Sequence, residues 1–272
     1  MARGGGLKSD FRARFISALM LGPLVLFVAW LGGVTFVFLI AAIACLIFWE
    51  WTVMTLRAID IRRDALALLC VLTLIGYTWL AGNPTAVFLS IGILVFAAVL
   101  LSKGFTPGRT LAGVGIAALF GTSLVFVREI SSNGLALLLF LAFSVWAADV
   151  FAYLSGRLIG GPKLVPSISP NKTWAGFLGA LVGGTLFGTG IARIFLVNGT
   201  DGPGITRFVF IALFLALCAQ IGDLLESAVK RRFNVKDTSN LIPGHGGMLD
   251  RVDGLIFASF VFVAIYAIGL AR

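Results

Sequence analysis

Apolar residues run along this chain in blocks too long and too continuous for half-buried strands or amphipathic surface helices. The first block covers Phe15–Leu31, a second opens at Val34, and further ones lie at about 65–81, 86–101, 111–127, 135–154, 175–196, 208–228 and 255–270. Each is long enough, allowing for tilt, to cross about 30 Å of hydrocarbon as a helix. The pattern predicts an all-α, polytopic membrane helix bundle of about nine transmembrane helices. Arg3, Lys8, Arg12 and Arg14 before the first block give it the look of a signal peptide. No small-residue cleavage site separates it from the second block, so the expectation is a retained first span.

Composition agrees: 59% of the 272 residues are hydrophobic and only 12% charged, far from the makeup of a soluble globule. The net charge of +9 does not point to nucleic acid, because the basic residues are spread between the apolar blocks and follow the orientation rule of membrane proteins. With nine spans and a cytoplasmic N-terminus, 17 of the 21 lysines and arginines fall on the inside and only Arg128, Arg193, Arg207 and Arg272 outside. Cys45, Cys70 and Cys218 lie inside apolar blocks without metal-ligand spacing, and the expectation is that they are small core residues. The seventh block pairs Gly179 with Gly183 and Gly184 with Gly188 at four-residue spacing. That face suits close helix packing within the bundle, or a homodimer contact.

No soluble domain is visible, so residues 1–272 read as one integral membrane domain. Residues 1–130 serve mainly as scaffold, and 131–272 carry the chemistry. Between the last two blocks, Ser227–Asp253 holds five basic and three acidic side chains and the only histidine. Asp149 and Asp223 each sit five residues before the end of a span, about 7 Å inside the inner boundary. Carboxylates at that depth are functional by default. Two facing each other would repel unless a proton or cation came between them, and a hard divalent cation prefers such oxygens. Asp250 and Asp253, three apart at the start of the ninth span, share a face if the segment is helical. The alternative is that each acid, with Glu226 and Asp237, pairs with a neighbouring lysine or arginine.

Lys230, Arg231, Arg232 and Lys236 would alone signal only topology or anionic lipid. Combined with the acids and with Gly244, Gly246 and Gly247, they suit a phosphate site built from cations, backbone N–H groups and a metal. His245, among those glycines, could transfer a proton or be structural. The other long inside loop, Gly156–Thr173, contains Gly160, Gly161, Pro162, Pro166 and Pro170 and cannot be a continuous helix. There Ser169 could cap the seventh span with Pro170 in its first turn, and Lys172 would then belong either to an anion site at a helix N-terminus or to an ordinary cap as a topology-setting lysine.

The order Ser227, Lys230-Arg231, Lys236-Asp237, Pro243-x-His245-Gly246-Gly247, Asp250-Arg251-x-Asp253 resembles the signature of the phosphatidate cytidylyltransferase family, also called CDP-diacylglycerol synthases. Asp149 with Tyr153 and Gly156, then Ile168-Ser169-Pro170-Asn171-Lys172-Thr173-Trp174, is similar to that family's second motif. The family usually has glutamate before the glycine that follows Lys-Thr-Trp, where this chain has Ala175 before Gly176. No role carries over for that acid. The resemblance implies a divalent-metal enzyme that condenses CTP with phosphatidate, with Asp223 and Asp250 at the metal-ligand positions.

Residues and resemblance together set the expected roles. Asp223, Asp250, Asp149 and Asp253 hold Mg2+ or another divalent ion, with a second, monovalent cation as an option. Lys230, Lys236, His245 and Arg251 act in catalysis. Ser169, Asn171, Lys172, Thr173, Ser227, Arg231, Gly246 and Gly247 bind substrate. The expected setting is a bacterial inner membrane with the site facing the cytoplasm. Asp250-Arg251-Val252-Asp253-Gly254 also resembles the opening of the CDP-alcohol phosphotransferase motif, but no acid follows Asp253. An ion-coupled transporter would place its carboxylates at mid-membrane and repeat its motifs between halves, neither of which is seen here. Labels at the N-terminus and at Ser239 should react from the cytoplasmic side and one at Asn83 from outside; a Ser239 label reached only from outside would overturn both topology and site.

Overall fold

The computed structural model describes residues 22–57, 59–103, 105–197, 203–241 and 246–269. Its nine described helices follow the nine apolar blocks. They are α1 (Gly22–Leu31), α2 (Gly33–Leu56), α3 (Ile61–Ala81), α4 (Thr85–Ser102), α5 (Pro107–Glu129), α6 (Gly134–Leu158), α7 (Trp174–Phe195), α8 (Pro203–Arg232) and α9 (Leu249–Ala267). Six of them, α2, α3, α5, α6, α7 and α8, are long and apolar enough to cross a membrane, and the chain is an integral membrane protein. The expected stretch Phe15–Leu21 and the basic tail before it lie outside the described residues.

α5 is the most buried helix and packs against α2, α3, α4, α6 and α9. It can sit there because its facing positions are small. A Cβ at Gly113 would run into Trp51 and Phe48 of α2, and one at Gly121 into Ile75 of α3. Such glycines give backbones the close approach that supplies packing energy where lipid removes the hydrophobic drive. At one end of α5, Arg128 Nε donates to Ala29 O at 2.6 Å, and Glu129 Oε1 accepts from Gly33 N at 3.0 Å. These bonds hold the α1–α2 break, where Gly32 and Gly33 take positive φ.

The tightest pair is α6 with α7, and the glycines of the seventh block are used there. Gly179 and Gly183 face Ser155 and Phe151 of α6, while Gly184 and Gly188 lie between Ser144 and Ala148 of α6 and Ala212 and Ala216 of α8. Packing within the bundle is what this face does. Cys218 is buried and Cys45 half-buried, but Cys70 is exposed, contrary to the expectation of a core residue. It lies on the outward side of α3, where lipid would surround an apolar thiol.

One element departs from all-α. After α6, Gly160 and Gly161 take φ of 68° and 94°, a turn that only glycine makes without strain. β1 (Lys163–Val165) then pairs antiparallel with β2 (Ser169–Thr173), Lys163 opposite Thr173 and Val165 opposite Ser169. Ser169 and Pro170 are therefore extended, and the expected cap at Ser169 is corrected. Thr173 is the N-cap of α7, its hydroxyl accepting from Gly176 N at 3.1 Å, because strand pairing claims the residues before it. α6 and α8 each run four residues past the apolar blocks, so Asp149 and Asp223 both lie nine residues from a helix end.

Replacing Gly188 by Val should lower stability by about 1–3 kcal/mol, since its Cβ would meet Ala212 Cβ at 3.0 Å as well as the Ser144 hydroxyl. Gly190→Val, with nothing within 4 Å of the added carbon, should be close to neutral. Thermal unfolding in detergent compares the two.

Candidate active site

A cavity of about 650 Å³ opens where the ends of α6, α8 and α9 meet the β1–β2 hairpin. Each element contributes for a local reason. α6 and α8 present Asp149 and Asp223 at matching distances from their ends, and α9 presents Asp250 and Asp253 from its first turns, so the segment is helical and the condition for a shared face is met. The hairpin carries Asn171, Lys172 and Thr173 to the opposite wall. Arg231 Nε donates to Ile168 O at 3.3 Å and so ties the turn of the hairpin to the end of α8.

Two lysines make three ion pairs in the site. Lys172 Nζ lies 2.7 Å from Asp223 Oδ2, joining β2 to α8. It makes no hydrogen bond of good geometry although it is buried, which leaves its donors for an anion. Lys230 Nζ sits between two carboxylates, 2.5 Å from Glu226 Oε2 and 2.9 Å from Asp250 Oδ1. Asp250 is held further by the amides of Thr238 and Gly247, at 3.0 and 2.8 Å from Oδ2. A charge almost buried is tolerable only when its lone pairs are taken in this way.

Asp149, Asp223 and Asp253 lie within electrostatic reach of one another around the same cavity. Asp253 takes a backbone N–H from Gly254, and Asp223 takes the Ser227 hydroxyl at 3.3 Å. This collection of hard oxygen donors fits a divalent cation in kind. Among the described residues, however, no group of three or more acids, histidines or cysteines is already drawn together around one point.

Nine of the expected residues line the cavity: Asp149, Asn171, Lys172, Thr173, Asp223, Lys230, Asp250, Arg251 and Asp253. Others support it from outside its wall. Ser227 bonds to Asp223, Arg231 to the hairpin, and Gly247 to Asp250. Gly246 has φ of 79° and passes so near Asp250 that a Cβ would lie 2.8 Å from Oδ2. Ser169 is at the hairpin's far end, opposite Val165, and Lys236 is exposed. His245, with Gly244, lies outside the described residues. The pairing alternative holds for Glu226 as well as for Asp223 and Asp250.

The sequence reading passed over Glu50 of α2. Its carboxylate is 0% exposed and accepts from the Ser239 hydroxyl and Met248 N, both 2.7 Å from Oε1. Oε2 accepts from the Thr238 hydroxyl at 3.1 Å and from Leu249 N at 2.7 Å. The signal was present as an acid inside an apolar block.

Lys230→Met should remove the cation shared by Glu226 and Asp250 and leave two buried carboxylates without it. The expected cost is about 3–5 kcal/mol, read as a lower unfolding midpoint in detergent. Lys230→Arg should recover part of it.

A model of the cytidylyltransferase family matches residues 12–269. The chain is 38% identical over 271 residues to the phosphatidate cytidylyltransferase of Brucella abortus (strain 2308), covering 95% of each. It is 36% identical over 202 residues to that of Bacillus subtilis (strain 168), 74% of this chain and 67% of that one. With the phosphatidate cytidylyltransferase of Staphylococcus haemolyticus it shares 31% identity over 251 residues, 90% of this chain and 95% of the relative. A cavity of carboxylates, lysines and an arginine at the end of an apolar bundle, and matches spanning nearly the whole sequence, agree: this chain belongs to the cytidylyltransferase family.

Proposed function

We propose that the chain transfers the cytidylyl group of CTP to phosphatidate, giving CDP-diacylglycerol and pyrophosphate for phospholipid synthesis. The observation that carries this reading is one cavity in which Lys172, Lys230 and Arg251 stand among five aspartates at the end of membrane-crossing helices. A lipid phosphate and a soluble triphosphate can meet only there. An oxygen of the lipid phosphate attacks the α-phosphorus of CTP, one P–O bond forms, the bond to the β-phosphate bridge breaks, and pyrophosphate leaves.

In this reading the hairpin lysine Lys172 turns from Asp223 to the triphosphate, and Lys230 and Arg251 stabilise the charge that grows on the phosphates. Asn171 and Thr173 border the nucleotide. Asp149, Asp223 and Asp253, with Asp250, are the residues that would hold a divalent ion such as Mg2+, and a bound ion would neutralise the triphosphate and polarise the α-phosphate. Lys236 and Ser169 keep supporting roles outside the cavity lining, and His245 keeps its expected role in proton transfer. A monovalent cation would suit the same acids. The full arrangement is nine spans in a bacterial inner membrane, with the N-terminus and the cavity on the cytoplasmic side. The coincidence of nine described helices with the nine apolar blocks supports that count, and the 17 to 4 division of basic residues supports the orientation. The glycine face of α7, already used by α6 and α8, leaves a homodimer to other surfaces.

Purified protein should release pyrophosphate from CTP only when phosphatidate is present, with CDP-diacylglycerol formed in equal amount. Asp223→Asn should lower kcat about a hundredfold or more. In Lys172→Met the KM for CTP should rise more than that for phosphatidate, because the triphosphate carries more charge; a rise for phosphatidate alone would move Lys172 to the lipid head group.

A further inference from the structure

We propose that Glu50 is a positioning residue for the transfer: its carboxylate, carried by the scaffold half, is the N-terminal cap of α9 and holds the loop that aims Asp250. This rests on the reading of the cavity as the reaction site. The first N–H groups of any helix lack partners within it. At α9 the N-cap residue is Met248, which has no capping side chain. Its amide and that of Leu249 point at Glu50 instead, one at each carboxylate oxygen. A negative charge at that end is also favoured by the helix dipole.

The donor set suits a carboxylate at this place. Each Glu50 oxygen meets one amide and one hydroxyl, four groups able to donate to it. None of the ion pairs found among the described residues involves Glu50. Its buried charge is balanced by the loop and the helix end rather than by a lysine or arginine.

The same loop serves both acids. Thr238 gives its hydroxyl to Glu50 and its amide to Asp250, and Gly247 gives its amide to Asp250. A Cβ at Gly247 would run into the Thr238 hydroxyl and lie 2.7 and 2.8 Å from the Glu50 oxygens, so glycine is what lets the loop close over the carboxylate. Releasing Glu50 therefore loosens Thr238 and Gly247, and with them two of the three groups that orient Asp250 beside Lys230.

Glu50→Gln tests this with little change of shape. Whichever way the amide turns, its NH2 faces one of the two backbone N–H groups, so one bond to the start of α9 is lost. The variant should remain monodisperse with kcat down about tenfold or more and the KM for CTP within about threefold. Glu50→Asp, which keeps the charge, should recover part of kcat. A spin label at Asn240→Cys, with the native cysteines replaced, should become more mobile in Glu50→Gln, while one at Lys163→Cys in the hairpin should not change. Unchanged kcat and unchanged mobility at Asn240 would overturn the proposal. So would loss of activity with mobility rising at both labels and collapse of the thermal transition, which would make Glu50 a general stabiliser. If Glu50→Gln fails to fold, Ser239→Ala removes a single hydroxyl donor and should reproduce the Asn240 effect in weaker form; no effect overturns the assignment. Wild-type protein that makes no CDP-diacylglycerol would refute the proposed function, whereas label mobility judges the cap without turnover.

Discussion

Glu50 places a full negative charge inside an apolar bundle, where burial is expensive unless every lone pair finds a donor. Its donors come from a loop and a helix start almost two hundred residues later. The scaffold helix α2 can be buried with its acid satisfied only if α9 begins beside it, and α9 beginning there sets the places of Asp250, Arg251 and Asp253. Through one carboxylate, α2 is tied to the start of the helix that lines the cavity.

The remaining charges of the cavity are arranged as exchangeable pairs. Lys172 rests on Asp223, and Lys230 is shared by Glu226 and Asp250. Anionic substrates can take over these cations, and the carboxylates so released would gain from a divalent ion. Substrate and metal would then stabilise one another's binding, since each supplies the charge that the other displaces. The pairing alternative raised by the sequence and the phosphate-site reading thus describe two states of the same residues. The pairs keep buried charge satisfied, and on the proposed reading the same groups would face the triphosphate once substrate binds.

Much of this protein was legible along the chain. The nine apolar blocks gave the helices, because a span needs length and hydrophobicity that are local properties of sequence. The position of acids near span ends, and lysines with glycines between them, gave the cavity wall, because charge at membrane depth has few structural uses. The β1–β2 hairpin was not visible: Ser169-Pro170 reads equally well as a helix cap, and only pairing with Lys163–Val165 makes it a strand. Lys172 consequently reaches Asp223 from a strand rather than from a helix terminus.

What the sequence determined alone is everything that depends on composition over a window: the membrane class, the helices, the glycine face and the list of ionisable groups near the span ends. What only the tertiary structure decided is which groups touch. Glu50 is one acid in a long apolar block, and nothing beside it in sequence names Thr238, Ser239, Met248 and Leu249 as its partners. Lys236 and Lys230 look alike along the chain, yet one is exposed and the other lies between two carboxylates. Hydrogen bonds and ion pairs act over about 3 Å in space and are blind to separation along the backbone, so their assignment had to wait for the fold.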